Sequence, residues 1–217
     1  MDRHQRTAKF LWIATIVLAL LGIGVATRRA VVLIKPSAMN TSKNPAALDQ
    51  HFLKEKKLTL LHVLPGMIFM ILGPLQFASS LRAKHPAVHR WSGRIFLTVS
   101  AVIGTTGLTM VLKGSVGGWD EKSAILLFGS FFLIALGKAL WHAMHREFAK
   151  HREWMIRGFA VGLAVATIRP IMALFFATAV SRGKTPDPSA FFGTAFWIGF
   201  TVQSAVAEVW IRRTRVD

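Results

Sequence analysis

The stretch "HREWMIRGFAVGLAVATIRP", His151 to Pro170, starts as a charged surface and turns within a few residues into an apolar run that closes on an arginine. With no acid after Glu153, it reads as a helix entering a hydrocarbon core, where backbone polar groups must be satisfied within the segment itself. Arg169 then stands roughly 18 Å beyond Arg157 at about 1.5 Å per residue, too deep for both to sit at one interface. The same signature recurs along the chain. A hydrocarbon core of about 30 Å needs about 20 helical residues to cross it. Six stretches qualify: Phe10 to Thr27, Leu58 to Ser79, Trp91 to Leu112, Ser123 to His145, Trp154 to Val180 and Ala190 to Ile211. Nothing alternates with the period of a barrel strand. The expected fold is all-α, a polytopic transmembrane bundle of six spans forming one domain over residues 1–217.

The formal charge of +17 comes from basic residues clustered beside apolar spans. That placement points to anionic lipid headgroups and away from nucleic acid. The chain has no cysteine, which excludes disulfides, thiolate metal sites, iron–sulfur clusters and cysteine nucleophiles. The first span follows Arg3, Arg6 and Lys9, as a secretory signal would, but its apolar core is long and Arg28 and Arg29 follow at once, so it reads as an uncleaved anchor. Lysine and arginine in short loops orient the chain with both termini cytoplasmic: Arg82, Lys84, Arg90 and Arg94, then Arg146, Lys150, Arg152 and Arg157, then Arg212, Arg213 and Arg215 fall on the inner side. The loop from Arg28 to Lys57 dissents. Within it, residues 44–57, "NPAALDQHFLKEKK", predict a short helix lying on the membrane, with Asn44 as N-cap and Pro45 at the first helical position.

Five of the eight histidines collect on the inner side: His85, His89, His142, His145 and His151. His62 stands near the outer end of the second span, with His51 in the loop before it. At about 100° per residue, His62, Gly66, Gly73 and Gln76 share one helix face, His89, Gly93 and Gly107 share another, and Lys138, His142 and His145 a third. His151 to Arg169 is about five whole turns. Each stripe can face the bundle interior, where intramembrane polar groups find partners. Two uses of Arg169 stand open: it faces the interior and binds an anion, Gln203 or a backbone acceptor, or it snorkels outward from a tilted helix.

Neutral imidazoles from two helices at one depth can supply both axial bonds to a b-type haem, while glycines on the same face leave room for the macrocycle and arginines pair with its propionates. His89 and His151 are one candidate pair for the iron, with His142 or His145 as substitutes and Arg94 and Arg157 at hand for propionates. A quinone near His62 and Arg169 would exchange electrons with it, and Gln76 is a further cofactor-binding candidate. The bland alternatives are that the glycines serve close helix packing and the histidines titrate at the interface. The pair in "HAMH", His142 and His145, could hold a divalent metal with His151, but the nearby carboxylates are only Glu147 and Glu153. Lys138 is deep enough to be either paired or neutral. Glu208 suits an interfacial arginine. No serine triad, phosphate loop or carboxylate pair occurs, so hydrolase and nucleotide chemistry have no support.

Three motifs together, "LHVLPGMIFMILGPLQF", "HRWSGRIFL" and "HREWMIRGFAVGLAVATIRP", resemble the predicted bacterial membrane proteins grouped as domain of unknown function twenty-three-oh-six. The resemblance covers the second through fifth spans. It implies a helical domain in a bacterial cytoplasmic membrane and singles out His62, His89, His151 and Arg169, without an activity. The layout is also loosely similar to two-haem b-type cytochromes, from which it departs by offering only His62 and His51 at the outer face. Three functions compete on these residues. The first is a haem-based electron-transfer protein, possible membrane oxidoreductase, linked to a quinone. The second is a small-molecule or metal binding or transport protein. The third is a structural subunit of a homo-oligomer or larger membrane complex. The sequence alone favours the first.

Overall fold

The computed structural model describes residues 3–35 and 47–215. It is helical throughout: α1 (Arg3–Ile34), α2 (Ala47–Lys54), α3 (Lys56–Phe77), α4 (Ser79–Lys84), α5 (Pro86–Lys113), α6 (Gly118–Met144), α7 (Phe148–Ser181) and α8 (Pro188–Thr214). Six of these, all but α2 and α4, are long and apolar enough to cross a membrane, as the hydropathy requires. α1, α5, α7 and α8 outrun their expected spans at both ends because the charged flanks stay helical, whereas α3 keeps the expected length two residues earlier and α6 starts five residues earlier and ends one residue short. The interfacial helix is shorter than expected. Within the described residues it runs from Ala47 to Lys54, Glu55 breaks it, and Lys56 and Lys57 open α3; the expected cap at Asn44 and Pro45 lies outside the described residues.

Local chemistry sets the ends. Pro86 and Pro188 begin α5 and α8, where a missing N–H costs nothing, and the Asp187 carboxylate accepts from the Ser189 N–H at 2.9 Å. α7 stops at Gly183, whose φ of 69° only glycine adopts cheaply, with Gly183 N–H donating to Val180 O and Lys184 N–H to Ala179 O.

Going round the bundle, α3 packs on α5, α5 on α6, α6 on α7 and α7 on α8, while α1 lies across α3 and α7 and α8 also touches α6. Lipid supplies no hydrophobic drive for this, so close van der Waals fit must. It comes from bulky side chains seated on glycines: the Phe159 ring lies over Gly73, the Phe69 ring over Gly162, and the Ile168 side chain over Gly199. Phe69 is stacked on Phe96 at 4.8 Å between ring centres and meets Phe132 at 5.9 Å and Phe159 at 5.6 Å. These rings plug the middle of the bundle.

Six crossings leave the start of α1 and the end of α8 on one face, called here the terminal face. It is stapled by polar contacts between α7 and α8: Arg157 to Glu208 at 2.5 and 3.1 Å, Arg152 to Thr214 at 3.0 Å, and Arg215 to Glu153 at 2.9 Å twice over. On the far face, Lys113 pairs with Glu55 at 3.0 Å, and Trp197 donates to Asp120 O at 3.1 Å.

Candidate functional site

Between the aromatic plug and the far face, the helices part around a cavity of about 260 Å³. Phe69, Phe132 and Phe200 form its floor, glycines of α1, α3, α5, α6 and α7 make its walls, and His51 and Phe52 of α2 stand at its far end. Gly66 opens on it with nothing within 4 Å of the place a Cβ would take. Its polar groups are few: His62, Arg169, Arg29, His51, Thr59 and Glu121.

The tautomer of His62 follows from its partner. The Thr106 hydroxyl spends its proton on Val102 O at 2.6 Å, so at 3.0 Å from His62 Nδ1 it can only accept. Nδ1 therefore carries the hydrogen, and Nε2 is left as an acceptor. Arg169 lines the same cavity, largely buried, with no hydrogen bond or ion pair to any described residue. Arg29 of α1 is close enough to repel it and rests over the Phe52 ring at 4.2 Å. The one acid in the lining, Glu121, makes no ion pair with a described residue; its Oε2 accepts from the Val116 and Gly117 N–H groups at 2.6 and 2.7 Å. At the mouth, loss of hydration first, then the charges of Lys54 and Arg29, hold His51 below the ordinary histidine range. The cavity is thus mostly apolar, with Arg169 as a charged group in its wall that pairs with no described residue.

The structure divides the histidines expected from the sequence into two groups separated by the plug. His62 joins Arg169 at the cavity. His89 and His151 come within electrostatic range of each other at the terminal face. His151 donates from Nδ1 to Ala139 O at 2.8 Å, and the Nδ1 of His89 is buried without a partner. His142 bonds Glu147, and His145 donates to Trp141 O at 2.8 Å, so both are absorbed by the turn into α7. Among the described residues no three histidines and acids gather as a metal site.

Other expected site residues have partners within the protein. Gln76 is buried and donates to the Ser92 hydroxyl at 2.8 Å, its oxygen lying against Gly93, which locks α3 to α5. Arg157 is held by Glu208, the acid expected to meet an arginine. Arg94 is exposed, with its guanidinium over Trp91 at 4.8 Å. Lys138 is exposed, and its ammonium sits over the Trp154 ring at 4.6 Å. Gln203 donates to Thr167 at 2.7 Å and leaves Arg169 alone. The glycines divide as well: Gly66 and Gly107 line the cavity beside His62, whereas Gly73 and Gly93 are filled by Phe159 and Gln76. Arg29 and Thr106 were not legible as site residues. Their only sequence signals are an arginine directly after an apolar run and a threonine beside a glycine.

Hydrogen bonds from His142 first and Lys150 second hold the Glu147 carboxylate below its ordinary value of 4.5. A depressed acid stabilises the fold above its unfolded pKa and loses that contribution as pH falls through the folded one. Stability should therefore decline below pH 4.5, and Glu147→Gln should flatten that part of a pH series of melting temperatures.

Fold and site together define a multi-pass helical membrane protein with a ligand-sized cavity in one half of the bundle. The family described as predicted membrane protein (DUF2306) matches residues 59–211, and the chain belongs to that family. The match takes in His62, His89, His151 and Arg169, while the contributions of α1 and α2 to the cavity lie outside it. No curated protein and no solved structure matches the chain.

Proposed function

We propose that the protein binds a small apolar molecule with an anionic head in the cavity between the aromatic plug and the far face, as a membrane receptor or carrier. One observation carries this reading: Arg169 lines an apolar cavity with no side-chain acceptor among the described residues. A charge held that deep is costly unless something pairs with it. A carboxylate or phenolate head matches the Arg169 guanidinium, and His62 Nε2 accepts from any hydroxyl next to that head. The apolar walls take the body of the ligand, as small-molecule sites generally do.

The test uses benzoate as probe, with neutral benzamide as control, on the detergent-purified chain. Benzoate at saturation should raise the melting temperature of the wild type, by mass action on the folded state. Benzamide should not, and Arg169→Leu should erase the response. An equal shift in wild type and variant, or none in either, would remove the proposal.

A second reading makes the site redox-active. A quinone head offers the same acceptors to Arg169 and, when reduced, a hydroxyl to His62 Nε2, and a haem b between His89 and His151 would supply the electron partner. The nearness of those two imidazoles and the unpartnered Nδ1 of His89 favour this reading. Against it, the glycines that would admit the macrocycle near them hold Phe159 and Gln76 instead. An absorption spectrum of protein from haem-supplied cells separates the two: a Soret band that shifts on reduction supports the redox form, and a colourless preparation rejects it.

A further inference from the structure

The terminal face has its own imbalance of charge, unrelated to the cavity. α4 is a short helix packed against α3 and α5, and its Arg82 lies within electrostatic range of both His89 of α5 and Arg152 of α7, while Arg90 also acts on His89. Among the described residues, Glu147, Glu153 and Glu208 of this face are already engaged. Glu153 takes both prongs of Arg215 and a contact from Arg157 at 3.6 Å, Glu208 takes the other side of Arg157, and Glu147 takes His142 and Lys150. The Arg82 side chain has no hydrogen bond or ion pair among the described residues. Arg152 makes one side-chain hydrogen bond, to the Thr214 hydroxyl at 3.0 Å, out of about five N–H groups on a guanidinium. His89 Nδ1 is buried and has no partner, the kind of orphan that native structures rarely tolerate.

We infer that Arg82, His89 and Arg152 form a binding site for a phosphate group, reached from the terminal face, with guanidiniums from α4 and α7 on its oxygens and the His89 imidazole donating from between them. Phosphate is the fitting head because planar guanidiniums grip its oxygens in pairs and a tetrahedral oxyanion can be served from three helices at once. The group belongs either to an anionic phospholipid of the surrounding leaflet or to a free phosphate in the aqueous phase. The site shares no residue with the cavity, so the two proposals stand or fall separately.

The experiment measures melting temperature of the full chain against three additions at constant ionic strength: phosphatidylglycerol, phosphatidylcholine and inorganic phosphate. Chloride supplies the balance, so that screening is held fixed. If the source is lipid, phosphatidylglycerol stabilises, phosphatidylcholine does not, and inorganic phosphate has little effect. If it is soluble, inorganic phosphate stabilises without lipid. In either case Arg82→Gln with Arg152→Gln should weaken the apparent affinity about tenfold or more, the loss of a charged hydrogen-bond pair. Arg94→Gln, an exposed charge outside the cluster, and Arg169→Leu should leave it unchanged. His89→Gln keeps a side-chain donor and should retain more of the response than His89→Leu. The inference is overturned if neither phosphate source stabilises beyond chloride, if the double variant responds like wild type, or if Arg94→Gln loses as much as the double variant. A Soret band in the purified protein would overturn it too, because an iron between His89 and His151 would claim the same imidazole.

Discussion

Replacing Arg169 with leucine should raise the melting temperature of the ligand-free protein. The guanidinium lies in the apolar cavity with no described partner and Arg29 in repulsive range. Leucine in its place removes an uncompensated charge from the interior of a transmembrane bundle and adds apolar contact with the walls. Substituting buried ionic groups by well-packed apolar ones stabilises by about 1–4 kcal/mol, and an arginine at the centre of a spanning helix costs about 2.5–3.5 kcal/mol on insertion scales. The cavity is open enough to admit some water, so a gain of about 1–3 kcal/mol is expected. Thermal unfolding of wild type and variant in the same detergent measures it. The sign is the informative part. A residue retained at the expense of stability is retained for what it binds, whereas a variant that melts lower would mean that Arg169 holds the helices together, and the case for a ligand would lose its foundation. Arg157→Leu makes the opposite control: Arg157 is engaged by Glu208 and Glu153, so its loss should destabilise.

Periodicity carried the architecture, and depth carried part of the site. Six apolar runs of spanning length could be read one at a time, because in lipid each helix must satisfy its own backbone. Arg169 was visible because a charge so far along an apolar run is costly wherever it points. What could not be read was which helix faces which. Arg29 looks in the sequence like a loop charge just past an apolar segment, and it becomes a wall of the cavity only because α1 lies across α3 and α7. The state of His62 rests on Thr106, a residue of another helix with an ordinary hydroxyl. Histidines whose helix faces can each turn inward need not share a site, and the aromatic plug puts His62 and His89 in different compartments. Helical phase says that a residue can face inward. What it meets there depends on contacts across long stretches of sequence.

The glycines of α3 show the same limit and give the sharpest test of the packing. Gly66 and Gly73 stand two turns apart on one face and look alike in sequence, yet a Cβ on Gly66 would meet nothing within 4 Å, and one on Gly73 would lie 2.0 Å from a ring carbon of Phe159. Phe159 cannot yield easily, since Phe69 and Phe77 hold it at 5.6 and 5.3 Å between ring centres. Gly73→Ala should therefore cost about 1–3 kcal/mol, the usual penalty for overpacking a filled core. Gly66→Ala should leave the unfolding transition in place and only narrow the cavity, weakening the benzoate response. Trimming the ring separates steric conflict from loss of backbone freedom. Phe159→Leu alone removes contacts and destabilises, but in the background of Gly73→Ala it makes room for the new methyl. The double variant should then be more stable than the sum of the single changes predicts, by a coupling of about 0.5–3 kcal/mol. Strict additivity would mean that the ring does not rest on Gly73, and the plug that separates the cavity from the terminal face would have to be drawn differently.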